Sequence, residues 1–177
     1  MNQKQLDTLK KNNEDTREFI RSCLSFALMI LLKDDNIKDI SISRLCAVAG
    51  VSRTAFYRNY QTIEDVLTDI IRNFALELAG KITSDIYNNW LAVFTVVDKN
   101  RKDIESIIKR GYEYKIYDVF MSMLPQNPEN RNIQMVWLSL FYSFILKWLK
   151  ENKSKTIEDM ARLAYKYTKN VPLVSVL

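Results

Sequence analysis

The sequence contains no histidine, and its 177 residues include only three glycines, three prolines and two cysteines. Without histidine it cannot form a Ser-His or Cys-His nucleophile pair or an imidazole metal site. Isolated glycines cannot build a phosphate-binding loop or a dinucleotide fingerprint. We therefore expect neither an enzyme nor a bound cofactor. A carboxylate enzyme using Asp34, Asp35 or Glu105 is the alternative, although each is more simply a solvated helix charge.

Long apolar runs are also missing. No apolar signal segment follows the polar N-terminus, and the longest apolar stretches are shorter than the roughly 20 residues that span a bilayer. Cys23 and Cys46 lie in apolar helical patterns without CxxC spacing, which is typical of core cysteines in a reduced compartment. A redox-sensing pair is the alternative. The sequence thus predicts a cytoplasmic protein.

Apolar residues repeat with a period of about 3.6 along most of the chain, which predicts an all-α protein of about nine helices. A three-helix N-terminal domain precedes a larger C-terminal helical domain. The predicted boundaries are a flexible tail at 1–14 and domains at 15–62 and 63–177. The predicted helices span 16–33, 41–49, 53–60, 62–78, 84–98, 101–109, 112–124, 132–151 and 156–169, with a loop at 125–128.

Two of the short helices have the form of a helix-turn-helix. Ser41 and Ser52 are good N-cap residues, and Gly50 ends the first helix. Between Ile40 and Ile63 there are three arginines and no acidic residue, which predicts a local positive patch. Donors at the start of the second helix suit base edges and phosphates of double-stranded DNA. The predicted DNA-binding residues are Arg44, Ser52, Arg53, Thr54, Tyr57, Arg58 and Asn59.

Residues 40–45 (ISISRL) and 49–60 (AGVSRTAFYRNY) resemble the DNA-binding domain of TetR/AcrR-type transcriptional regulators. The match covers roughly residues 16–67. The resemblance implies a homodimer whose N-terminal domains bind a palindromic operator. It also implies C-terminal helices that form a ligand pocket and the dimer interface, with repression as the usual mode of action.

Four residues depart from that family pattern. Ala55 and Asn59 stand where threonine and histidine often contact phosphate, and Gln61 and Ile63 stand where lysine is frequent. Weaker phosphate binding is therefore one expectation. A TetR-like coactivator or protein-interaction module without its own operator is the alternative function.

The helix at 132–151 is apolar nearly all round, so it is expected to face both its own domain and a second copy. Central burial in a monomer is the alternative. The predicted interface residues are Trp137, Phe141, Phe144, Ile145, Trp148, Met160 and Ala164. Aromatic and thioether side chains before this helix suit either a packed core or a pocket for an apolar or aromatic inducer. The predicted pocket residues are Trp90, Phe94, Tyr112, Tyr117, Phe120 and Met121.

Overall fold

The computed structural model describes residues 3–124, 128–151 and 155–173, and these residues form nine α-helices and no strand. The chain divides into two compact units, one ending at Ile70 and the other beginning at Ile71. The predicted boundary at residue 62 lies shortly before this division. The first unit holds α1 (Gln3–Leu31), a 3₁₀ turn (Ile37–Asp39), α2 (Ile42–Ala49), α3 (Arg53–Tyr57) and the start of α4 (Ile63–Ala79). The second unit holds the rest of α4, then α5 (Ile86–Lys99), α6 (Arg101–Lys109), α7 (Glu113–Met123), α8 (Pro128–Lys150) and α9 (Ile157–Thr168).

Three helix boundaries differ from the prediction by three or more residues. α1 begins at Gln3, inside the segment predicted as a flexible tail, because residues 3–15 contain neither glycine nor proline and are rich in good helix formers. α3 ends at Tyr57, earlier than predicted. α8 begins at Pro128, which suits a first helical position because its missing N–H is not needed there. The rest of the predicted loop, 125–127, lies outside the described residues.

In the first unit α1 packs against α2 and α3. Leu24 and Leu28 of α1 are fully buried together with Leu45 of α2 and Phe56 of α3. Burying each such side chain stabilises the fold by about 1.5–3 kcal/mol. This small core holds the two short helices on one supporting helix.

In the second unit α5 packs against α6, α8 and α9, and Trp90 of α5 lies at the centre of the core. Its ring lies 4.8 Å from that of Phe141 and 5.0 Å from that of Phe144. Its indole Nε1 donates a hydrogen bond to Thr168 Oγ1 at 2.8 Å. The polar edge of this buried ring is therefore satisfied inside the chain.

No helix among the described residues has the combined length and hydrophobicity needed to cross a bilayer.

Candidate nucleic-acid interface

The turn between α2 and α3 is built from local backbone and serine hydrogen bonds. Ser41 Oγ accepts from the Arg44 amide at 3.2 Å and caps α2. Gly50 ends α2 in the left-handed region with φ 67°. The Val51 amide then donates to the Cys46 carbonyl at 3.1 Å, the hydrogen bond of a Schellman C-cap. The chain is thereby turned sharply into α3, as the serine and glycine signals predict.

α3 is anchored on one side and open on the other. Ser52 Oγ accepts from the Ala55 amide at 3.1 Å and caps the helix. Phe56 is fully buried and lies edge-on to Tyr57 at 5.4 Å between ring centroids, whereas Tyr57 itself is 53% exposed. Four of the predicted DNA-binding side chains are exposed together on this short helix and its end. We term them the α3 face: Arg53, Thr54, Tyr57 and Arg58.

Of the remaining predicted residues, Ser52 serves as the N-cap, and two are held by the chain itself. Arg44 is exposed, and its Nη2 lies 2.8 Å from Asp35 Oδ2 in an ion pair. Asn59 is half-buried, and its Nδ2 donates to the Ala55 carbonyl at 2.8 Å. In this conformation Asn59 therefore satisfies α3 and does not join the α3 face.

A carboxylate in the first turn of α4 binds the two amides that precede the helix. Asp65 Oδ2 accepts from the amides of Gln61 at 3.0 Å and Thr62 at 2.8 Å. Thr62 Oγ1 accepts in return from the Asp65 amide at 3.2 Å and caps α4. Ile63 is only 6% exposed and has an apolar side chain, so it offers no hydrogen bond to a phosphate. Gln61 and Ile63 are two of the four positions that depart from the family pattern.

A partly buried hydrogen-bond network, centred on Asp69, ties together α1, the end of the helix-turn-helix and α4. Tyr60 Oη donates to Asp69 Oδ2 at 2.6 Å, and Arg21 Nε donates to the same oxygen at 3.1 Å. Asp69 is only 6% exposed. Burial first, and then the hydrogen bond to Asp69, raise the pKa of Tyr60. The sequence prediction missed this network, although a carboxylate among the apolar positions of α4 was a signal for it.

The helices are arranged as in several solved protein structures. No protein-family model matches the chain. A solved TetR transcriptional regulator from Streptococcus agalactiae 2603V superposes with a TM-score of 0.63 at 13% identity, over 89% of this chain and 98% of that one. The chain has the TetR fold. The all-α prediction is confirmed, and the family resemblance is confirmed at the level of the fold.

Two further solved structures are similar to this chain. NalD, the secondary repressor of the MexAB-OprM multidrug efflux pump in Pseudomonas aeruginosa, has a TM-score of 0.62 at 16% identity, over 92% of this chain and 99% of its own. The dihydroxyacetone kinase operon activator DhaS has a TM-score of 0.55 at 15% identity, over 86% and 93%. Their names describe one repressor and one activator.

A curated relative, the HTH-type transcriptional regulator YxbF of Bacillus subtilis (strain 168), is 24% identical over 157 residues. The match covers 77% of this chain but only 41% of YxbF, so this chain spans less than half of that protein's length. All of these names describe transcription regulators and none an enzyme, which agrees with the expectation from the missing catalytic residues.

Within the second unit of this TetR fold, two apolar cavities of about 270 Å³ and about 60 Å³ lie side by side. Phe120 lines both, and Tyr117 lines the smaller one. The other predicted pocket residues line neither cavity, because two are fully buried in the core and two are half-buried elsewhere. They are Trp90, Phe94, Tyr112 and Met121.

The predicted dimer-interface residues divide in a similar way. Four are buried by their own chain and expose almost none of their surface, none more than 6%: Trp137, Trp148, Met160 and Ala164. Three others are half-buried and pack against the same core: Phe141, Phe144 and Ile145. The exposed side of α8 instead carries Val136, Ser139 and Ser143. A helix that is apolar on every side does not reveal from its sequence which side faces its own domain.

Proposed function

We propose that the chain is a DNA-binding transcription regulator whose α3 face enters the major groove. The observation that carries the proposal is the exposure of four hydrogen-bonding side chains on a capped, anchored helix within a segment that contains no carboxylate. Arg53 and Thr54 stand at the start of α3, where side chains reach base edges. Tyr57 and Arg58 follow and suit phosphate oxygens.

The proposed regulator acts as a homodimer on a palindromic operator. One helix-turn-helix buries too little DNA for tight specific binding, so two copies reading successive major grooves, about 34–36 Å apart, are expected. The proposed contact lies on the exposed stripe of α8, where Val136, Ser139 and Ser143 follow one another at helical spacing. Ser139→Lys would place a charge there and is expected to yield monomers in sedimentation. A Ser139→Lys protein that remains dimeric would remove α8 from the interface.

We further propose repression, relieved when a small apolar or aromatic ligand favours a conformation with poor operator affinity. A promoter reporter carrying the selected operator tests the sign of regulation. Lower output in cells that express the chain supports repression, and higher output contradicts it.

The first experiment is selection of bound fragments from random double-stranded DNA at about 150 mM salt, followed by sequencing. An enriched palindrome supports the proposal and supplies the spacing of its half-sites. Arg53→Ala is then expected to weaken operator binding by about ten- to a hundredfold, since a good base contact is worth about 1–3 kcal/mol. Arg162→Ala, which removes the same charge from an exposed position in the second unit, is the matched control and should bind as the unmodified chain does.

Two milder substitutions separate base reading from phosphate contact. Thr54→Ala should change the preferred base at one or two positions of the site. Tyr57→Phe removes one exposed hydroxyl and should weaken binding to every sequence alike. Unchanged binding after both substitutions would contradict the placement of α3 in the groove.

The second candidate function is a TetR-like coactivator that binds a partner protein and no operator. It is favoured by the inward hydrogen bond of Asn59 and by the Asp65 carboxylate, which occupies the two amides just before α4, since both reduce phosphate contacts. The two functions differ in salt dependence. Each phosphate contact makes the slope of log K against log salt more negative by about 0.9. No enriched sequence and a flat salt dependence would favour the coactivator.

A further inference from the structure

The larger cavity of the second unit is walled by four helices and carries no charge. Its sides are formed by Ala75 and Leu78 of α4, Phe120 of α7, and Trp137 and Phe141 of α8, among others. None of its lining residues is acidic or basic. At about 270 Å³, beside a smaller space of about 60 Å³ that shares several of its walls, it approaches the lower end of small-molecule sites, roughly 300 Å³.

One buried side chain on this wall has a hydrogen-bonding group without a partner. Gln134 of α8 lines the cavity and is only 4% exposed. Neither its amide nitrogen nor its amide oxygen has a hydrogen-bond partner among the described residues, and both atoms are screened from solvent. Buried polar groups are nearly always paired, so a native orphan amide calls for an explanation.

A second amide side chain that lines the same cavity, that of Asn89, is hydrogen-bonded through both its oxygen and its nitrogen. Asn89 Oδ1 accepts from the Thr83 amide at 2.8 Å, and its Nδ2 donates to the Thr83 carbonyl at 2.8 Å. Asn89 thus closes the connection before α5 and is occupied by it. Gln134 is the lining amide whose donor and acceptor are both uncommitted.

We propose that this cavity binds a small neutral molecule with an aromatic or aliphatic body and one amide-like group, which pairs with a rotated Gln134 amide. The apolar lining suits the body, and Gln134 supplies one donor and one acceptor for a planar group that has the complementary pair. A carboxylate or an ammonium ion would be buried without a counter-charge and is excluded at a large cost. Any effect of this ligand on DNA binding rests on the proposed function.

Three probes of nearly the same shape test the proposal on the full chain: 4-phenylbutanamide, 5-phenylpentan-2-one and 4-phenylbutanoate. The amide has donor and acceptor, the ketone keeps only the acceptor, and the butanoate is charged. Titration calorimetry should rank the amide first, about tenfold tighter than the ketone, with the butanoate weakest. Equal affinity of amide and ketone, or no binding of any probe at millimolar concentration, would overturn the proposal.

Gln134→Met keeps an unbranched side chain of similar length and removes the amide. It should abolish the preference of the cavity for amide over ketone while leaving ketone binding in place. Asn132→Leu, an exposed polar position on the same helix, is the matched control and should retain the preference. A Gln134→Met protein that still prefers the amide assigns the polar contact elsewhere and contradicts the proposal. Gln134→Leu repeats the test with a second shape, and a thermal melt confirms that each variant is folded.

These titrations contain no DNA, so their outcome does not depend on the proposed DNA-binding function. Probe binding without any enriched DNA sequence would leave the ligand site standing and remove the regulator proposal. An enriched operator without probe binding would do the reverse.

Discussion

Two buried polar side chains, one in each unit, differ in how the fold treats them. Asp69 of the first unit is 6% exposed and accepts hydrogen bonds from Tyr60 and Arg21. Gln134 of the second unit is 4% exposed and has no partner among the described residues. Both lie on helices whose other inward positions are apolar. Asp69 is hydrogen-bonded to its neighbours, whereas the hydrogen-bonding groups of Gln134 are unsatisfied.

The difference separates a group that positions a site from a group that is itself a site. A satisfied buried network holds one geometry, because breaking any bond in it leaves the other members desolvated. Tyr60 ends the helix-turn-helix, so its bond to Asp69 fixes the end of the segment that carries the α3 face. An unsatisfied buried amide lowers the stability of the ligand-free fold, and it raises the affinity for a ligand that forms the missing hydrogen bonds.

The largest expected effect comes from breaking the satisfied network. Asp69→Ala leaves the Tyr60 hydroxyl buried without its acceptor and removes the carboxylate from Arg21, so we expect a loss of about 2–3 kcal/mol in the free energy of unfolding. Urea denaturation measures it. Asp34→Ala, an exposed carboxylate of the same unit, should change stability by less than about 0.5 kcal/mol. Similar values for the two variants would show that the network is not a stabilising feature.

The opposite sign is expected at the unsatisfied amide. Gln134→Met removes a polar group that gains nothing in the ligand-free fold, so the free energy of unfolding should rise by about 1–2 kcal/mol. Asn89→Leu removes an amide that is bonded to Thr83 and should lower it by a similar amount. Thermal unfolding of both variants tests the pair. Destabilisation by Gln134→Met would mean that this amide has a structural partner. It would contradict the contrast drawn between Asp69 and Gln134.

The first unit was largely predictable because its signals are local. Ser41, Gly50 and Ser52 each act through bonds to backbone groups within a few residues, and the predicted turn has those bonds. The exposure of Arg53 and Tyr57 followed from the burial of Phe56 on a short helix. The start of α1 was misplaced because the segment carries no strong stop signal and continues as helix.

The second unit was less predictable because its outcome depends on contacts distant in sequence. Trp137 and Trp148 were expected at a dimer surface, yet both are buried, and the Trp137 indole donates to the Pro172 carbonyl at 2.8 Å. No property of α8 alone marks that acceptor. The orphan state of Gln134 likewise emerges only when all its neighbours are known. Helical periodicity identifies an apolar helix but not the neighbour of each side.

A smaller effect should come from a change in the backbone of the helix-turn-helix. It tests whether backbone conformation, as well as polar side-chain contacts, stabilises the first unit. Gly50 adopts φ 67°, and a side chain there would meet open space, so the cost of Gly50→Ala is conformational. We expect a loss of about 1 kcal/mol in the free energy of unfolding. Ala47→Gly, at an exposed position of the neighbouring turn of α2, measures the ordinary helix-propensity change by comparison. No loss from Gly50→Ala would mean that the turn can adopt another cap.

The smallest effect concerns the Tyr60 hydroxyl at high pH. Because its pKa is raised in the folded chain, the protonated hydroxyl stabilises the fold fully below the unfolded pKa of about 10, and this stabilisation is lost as pH rises through the folded value. Near pH 10.5 the loss should be under about 1 kcal/mol, and Tyr60→Phe should remove that part of the pH dependence. Tyrosinate absorbance during alkaline titration gives a second measure, since Tyr60 should ionise above the ordinary pKa of tyrosine. Equal pH dependence in Tyr60→Phe and the unmodified chain would show that the hydroxyl is not held by Asp69 in solution.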